Sequence, residues 1–118
     1  MNPEEIVQKQ LDFYNNHDLE GFVSTYNDNI EIYNLDDNSI MIKGKEQLKN
    51  NYRERFEVLK VHAEIKNRIV IGNKVIDHEE VKGLEKDKVK KAVAVYQIEN
   101  NLIKRVWFVF DINWGINK

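Results

Sequence analysis

The chain has 118 residues, no cysteine, 18 basic and 20 acidic side chains, and a formal net charge of -2. That length fits one domain, 1–118, with a core of its own, and the missing cysteines exclude a disulfide framework and a thiolate metal site. The two charge signs are interspersed, which excludes a dedicated nucleic-acid surface, and no apolar run reaches the length of a membrane span.

The start, Met-Asn-Pro-Glu-Glu, is acidic where a signal peptide is basic, so a cytoplasmic protein is expected. Asn2-Pro3-Glu4-Glu5 also reads as a helix start: Asn caps, Pro suits the first position and the glutamates favour the positive dipole end. Ile6, Val7, Leu11, Phe13 and Tyr14 follow at helical spacing. Asn15-Asn16-His17-Asp18 breaks that helix. Asp18 caps a shorter second one with Leu19, Phe22, Val23 and Tyr26 as its buried residues. Ile30 to Leu35 alternates as a strand, Asp36 to Ser39 is a polar loop, and Ile40-Met41-Ile42 is a very short strand. Gly44-Lys45-Glu46 opens a third helix with Leu48, Tyr52, Phe56 and Leu59 as its apolar stripe.

Lys60 to Asp111 holds four β-like runs. Gly72-Asn73 breaks the first pair and Asn100-Asn101 the last, and both residue types tolerate the positive φ of tight hairpin turns. Strands this close in sequence are antiparallel, because a parallel pair needs a longer crossover. Helices first and a sheet second means α+β, with helices on one face of the sheet. In the first run Val61, Ala63, Ile65, Ile69 and Ile71 share a side. The second run, Lys74 to Glu85, has no clean face: Val75, Asp77, Glu79 and Val81 oppose Ile76, His78, Glu80 and Lys82. The basic run from Lys86 to Lys91 reads as a solvated hairpin tip. The third and fourth runs are apolar on both faces. Ala92, Ala94, Tyr96, Ile98, Val106, Phe108 and Phe110 form one, and Val93, Val95, Trp107 and Val109 contribute to the other. Helices cover only one face, so the second suggests another subunit, and a homodimer through Val93, Val95 and Trp107 is expected.

Several stretches carry a family resemblance. Asn15-Asn16-His17-Asp18-Leu19-Glu20-Gly21, Tyr26-Asn27-Asp28-Asn29-Ile30 and Ile42-Lys43-Gly44-Lys45-Glu46-Gln47-Leu48 resemble segments of the NTF2-like superfamily. The SnoaL-like proteins and ketosteroid isomerases are the nearest in pattern. Val70-Ile71-Gly72-Asn73-Lys74-Val75 and the hairpin at Asn100-Asn101 resemble that family's hairpins. The resemblance implies a cone: three N-terminal helices on a strongly curved, mainly antiparallel sheet, in the order α-α-β-(β)-α-β-β-β-β. It also implies an apolar pocket and dimerisation through the outer sheet face.

Ketosteroid isomerases use a carboxylate base with a tyrosine and a protonated aspartic acid as oxyanion hole. The matching positions here are Asn34, Gln10 and Ala94, and all three depart from that chemistry. If the family's usual strand phase holds, His78 and Glu80 project into the pocket as an acid-base residue and its orienting carboxylate. The opposite phase leaves both in solvent. Tyr14, Tyr52 and Tyr96 either hydrogen-bond a ligand oxygen or serve as an amphipathic core lining. Gln10 and Asn34 suit binding more than proton transfer, and Phe108 and Phe110 complete the lining. Arg55 on the third helix reads as exposed, the alternative being a partner for an acidic ligand, and Asp36 and Asp37 read as turn residues beside the pocket mouth. His17, His62 and His78 fall in different elements, so no metal site is expected. No phosphate loop is present, and Ser24 and Ser39 have no histidine beside them, so neither a cofactor nor a nucleophilic serine is implied. The expected function is binding of a small apolar or amphipathic ligand, with isomerase or dehydratase chemistry by proton transfer as its catalytic form. The alternative is a non-catalytic binding or dimerisation module.

Overall fold

The computed structural model describes residues 1–111, so the last seven residues of the expected domain, 112–118, lie outside the description. Asn2 opens α1 (Pro3–Asn15) with a capping box. Its side chain accepts from the Glu5 N–H and the Glu5 carboxylate accepts from the Asn2 N–H, each at 2.9 Å. Two donors that the first helical turn cannot satisfy are thereby paired. His17, at a φ of 58°, turns the chain. Asp18 then caps α2 (Leu19–Ser24) by accepting from the Gly21 N–H at 2.9 Å.

Tyr26 belongs to a strand, β1 (Tyr26–Asn34), and not to the second helix. Its ring is buried, as expected, but from the sheet side. After β2 (Ile40–Lys43), α3 (Lys45–Glu54) runs into a π-helical turn, Arg55–Leu59, that ends at Lys60 in the left-handed region. The meander follows as β3 (His62–Ile71), β4 (Lys74–Lys82), β5 (Val89–Glu99) and β6 (Leu102–Phe110). Asn100 and Asn101 both have positive φ, the requirement of a two-residue hairpin turn twisted like its strands.

The six strands form one sheet in the order β2-β1-β6-β5-β4-β3. Every pair is antiparallel except β1 with β6. The expected α+β cone, helices first and mainly antiparallel sheet second, is the fold observed. The parallel pair arises because four strands and a helical segment intervene before β6 returns to the free edge of β1.

Helices and the inner sheet face enclose the core. Phe22 sits at the centre of an aromatic cluster, with ring centroids 4.8 Å from Tyr52, 5.0 Å from Tyr26 and 5.1 Å from Phe56. Each such ring contributes a few kcal/mol by burial, so this cluster anchors both short helices to the sheet. Two polar contacts fix α1. The Asn15 amide pairs like a strand residue with the backbone of Ala63, accepting at 2.8 Å and donating at 3.0 Å. Arg68 donates to both Asp77 carboxylate oxygens, at 2.7 and 2.9 Å, and to Gln8 of α1 at 2.9 Å.

The shared face expected for Val61, Ala63, Ile65, Ile69 and Ile71 ends at Ile65. Lys66 has no partner in β4: Ile65 faces Glu79, but Asn67 faces His78. One extra residue shifts the side-chain phase by one. Arg68 therefore turns inward onto Asp77, and Ile69 and Ile71 turn outward, 53% and 67% exposed.

Candidate functional site

The phase of β4 decides which of its polar side chains meet the core. Val75, Asp77, Glu79 and Val81 are buried, and the residues between them are half-exposed. Their partners in β5 confirm the orientation: Val75, Asp77 and Glu79 stand opposite the buried Tyr96, Ala94 and Ala92. The chain thus directs two carboxylates inward. Arg68 neutralises Asp77 through two hydrogen bonds. Glu79 forms no ion pair among the described residues.

Glu79 instead lines a small inner cavity of about 20 Å³, room for about one water molecule. Gln10, Tyr14, Tyr52, Arg55 and Tyr96 bring further polar groups to it, and Ile32, Val106, Phe108 and Phe110 bring apolar walls. A larger chamber of about 670 Å³ opens outward from it, a volume typical of small-molecule sites. Ile32, Tyr52, Arg55, Phe108 and Phe110 line both spaces and so form the neck between them. Asn34, Asp36, Met41, Asn51 and Asp111 stand around the outer chamber.

Electrostatics follow from burial. Burial pushes the Glu79 carboxyl up to about 8; the Asp77 charge adds to the rise, and Arg55 and Arg68 oppose it. The group therefore holds its proton at neutral pH and exchanges it within reach of physiological conditions. Burial also raises the Tyr14, Tyr26 and Tyr96 hydroxyls, which stay protonated as donors. Arg55 begins the π-helical turn. Its guanidinium lies over the Tyr52 ring, 4.5 Å from the centroid, and donates toward the Tyr14 hydroxyl. The arrangement offers a protonatable carboxyl, hydroxyl donors and a cation around one point, next to a chamber with apolar walls. This is a donor set suited to holding a ligand oxygen and moving a proton beside it.

Gln10, Tyr14, Asn34, Tyr52, Tyr96, Phe108 and Phe110 all line this pair of spaces, Asn34 on the outer chamber only. The Asn34 side chain accepts from the Asp36 N–H at 2.9 Å and shapes the loop there. His78 and Glu80 are placed otherwise. Both lie on the outer sheet face, where His78 stands opposite Val93 and its Nδ1 is 3.4 Å from the Asn67 amide. Glu80 pairs with Lys66 at 3.8 Å. The inward phase on which their acid-base pairing depended is thus corrected. The sequence reading passed over Glu79 and took Arg55 as exposed, whereas Arg55 is partly buried at the neck. One signal for Glu79 was present. Valines bracket its face of β4 at 75 and 81, whereas lysines bracket the face of His78 at 74 and 82. Arg55 lies on the helical face of Leu48 and Tyr52 by spacing, but an arginine at the end of such a stripe reads as solvated. Among the described residues, no cluster of three or more His, Asp or Glu side chains is placed to hold a metal ion.

Solved structures share this architecture. An uncharacterized cystatin-fold protein from Novosphingobium aromaticivorans is 27% identical with a TM-score of 0.83, covering 92% of this chain and 98% of that one. A computationally designed 17-OHP binder is 15% identical with a TM-score of 0.75, covering 94% and 98%. An LEH-like epoxide hydrolase from M. tuberculosis is 14% identical with a TM-score of 0.77, covering 92% and 82%. The last two likenesses speak for the fold alone. No curated protein matches the sequence. The SnoaL-like domain model matches residues 7–106, from within α1 to within β6, and the chain therefore belongs to the SnoaL-like family.

Proposed function

We propose that this SnoaL-like protein binds a small, largely apolar molecule in its cone and moves a proton on it, as an isomerase or dehydratase does. Glu79 replaces His78 as the proton-carrying group in this reading. The carrying observation is its place: a buried carboxyl without an ion pair among the described residues, lining a cavity beside Tyr14 and Tyr96. The ionised fraction of Glu79, a minority at neutral pH that grows toward pH 8, takes a proton from a carbon beside a ligand carbonyl. The Tyr14 or Tyr96 hydroxyl donates to the carbonyl oxygen as negative charge develops there. Glu79 then returns the proton to a neighbouring carbon, so the reaction needs no oxidant or metal. Gln10, Tyr52 and Asn34 orient the ligand, and Phe108 and Phe110 pack against its body.

The test is hydrogen–deuterium exchange beside the carbonyl in a panel of saturated and β,γ-unsaturated ketones, followed by proton NMR in D2O. Wild-type protein should accelerate exchange for at least one member. Glu79→Gln should lose at least a hundredfold of that rate, and His78→Ala should keep it. Equal exchange by wild type and Glu79→Gln would refute the assignment. A second reading, a non-catalytic binder, draws on the small inner cavity, which admits about one water beside Glu79. Binding without exchange in the same panel selects it.

The same proposal includes a homodimer through the outer sheet face. Ile69, Ile76, Val95, Trp107 and Tyr33 stand directly opposite one another across five strands, forming one apolar row. The Trp107 ring stacks on Tyr33, with centroids 5.7 Å apart and planes 17° from parallel. Val93 and Val109 extend the patch by one further pair. A flat apolar row on an uncovered sheet face suits an isologous contact with a second copy.

A further inference from the structure

Among the described residues, Arg55 is the one strong cation at the neck between the inner cavity and the outer chamber. Partly buried charges are normally paired with an opposite charge. Among the described residues Arg55 has no carboxylate in ion-pair contact. It is nonetheless held in place. The Tyr52 ring stacks under it at 4.5 Å, and the Tyr14 hydroxyl lies toward one edge. Its own backbone carbonyl accepts from the Val61 N–H at 3.2 Å, anchoring the π-helical turn to the strand entry. Insertions of this kind in a helix concentrate at functional sites. A guanidinium braced on one face and one edge presents its remaining N–H groups as a planar fork, the complement of a carboxylate.

We infer that Arg55 recognises a carboxylate on the ligand, so that the molecule taken by this cone is a monocarboxylic acid with an apolar body. The carboxylate sits at the neck on Arg55. The body extends into the chamber of about 670 Å³, against Met41, Phe108 and Phe110. The charges around the site agree with this assignment. Glu79 is protonated near neutral pH, which leaves the cation of Arg55 uncompensated until a ligand anion arrives. Asp36 and Asp111 also line the chamber, but neither is in ion-pair contact with Arg55, and Asp36 is exposed to screening solvent. They disfavour a ligand carrying a second negative group at its far end, which restricts the class to monoanions. This inference rests on the proposed use of the same cone and names its substrate class.

The test is calorimetric binding of 4-phenylbutyrate against its neutral amide, 4-phenylbutyramide, at pH 7. The wild-type protein should bind the carboxylate at least tenfold more tightly, with the preference shrinking as salt is raised. Arg55→Met should remove the preference, and Arg55→Lys should keep part of it. Equal affinities for acid and amide in the wild type, or binding of neither, overturn the inference without any variant. So does an undiminished preference in folded Arg55→Met. The two readings separate cleanly. A carboxylate preference without ketone exchange removes proton transfer and keeps Arg55 recognition, and exchange without the preference does the reverse.

Discussion

Glu79→Gln is the perturbation with the clearest thermodynamic signature. The Glu79 carboxyl is 6% exposed and titrates at about 8 in the folded chain, against an ordinary value of 4.5. Between those values the folded state keeps a proton that the unfolded state has lost. The folded state therefore binds more protons, and stability falls as pH rises through this window. The contribution is fully present below about pH 4.5 and is gone above about pH 8. The whole shift corresponds to about 5 kcal/mol, most of which falls between pH 5 and pH 8. Glutamine is neutral throughout and close in size, so it removes this dependence and leaves all other titrations in place. Urea unfolding of both proteins at matched concentration, from pH 5 to pH 8, isolates the term as a difference between two curves. The variant should gain on the wild type by a few kcal/mol, roughly 3–4, across that range. Parallel curves would mean that Glu79 is ionised in the folded state, and the proton-holding role would fall with them.

Two further perturbations address the scaffold. Arg68→Ala strips a buried carboxylate, Asp77 at 1% side-chain exposure, of its two hydrogen bonds and should destabilise the protein by about 3–5 kcal/mol in urea unfolding. A loss below about 1 kcal/mol would show that Asp77 finds another partner or a proton. Trp107→Glu places a charge in the centre of the apolar row and should convert a dimer to monomers by sedimentation or light scattering, with helix and sheet content retained. A monomeric wild type at micromolar concentration would remove the dimer.

Much of the architecture was legible locally. The capping box at Asn2 and Glu5 needs only residues three apart, and the paired asparagines at 100 and 101 supply the positive φ of their hairpin without help from elsewhere. The inner faces of β5 and β6 carry apolar residues at alternate positions, including Tyr96, Phe108 and Phe110, so they could be read from the chain even though the outer faces are apolar too. Tyr26 was misassigned by one element, because its spacing from Phe22 and Val23 satisfies a helix as well as a strand entry.

The interior of the site was decided by tertiary structure. On β4 the two faces are nearly equal in polarity, so no local rule separates Glu79 from His78 and Glu80 except the valines at its ends. What settles the phase is pairing with β5, whose Ala92, Ala94 and Tyr96 must meet the helices and therefore carry Glu79, Asp77 and Val75 inward with them. The bulge at Lys66 is equally non-local: β3 must admit one extra residue to bring Arg68 onto Asp77 while Ala63 stays paired with Asn15. Arg55 shares the helical face of Leu48 and Tyr52 by spacing, but only the packing shows that its guanidinium stays over the Tyr52 ring at the neck and does not reach out to solvent. Local preferences fix where strands and helices begin, because turns and caps involve neighbours in the chain. Which face of a polar strand is buried depends on partners tens of residues away, and only the folded packing selects among them.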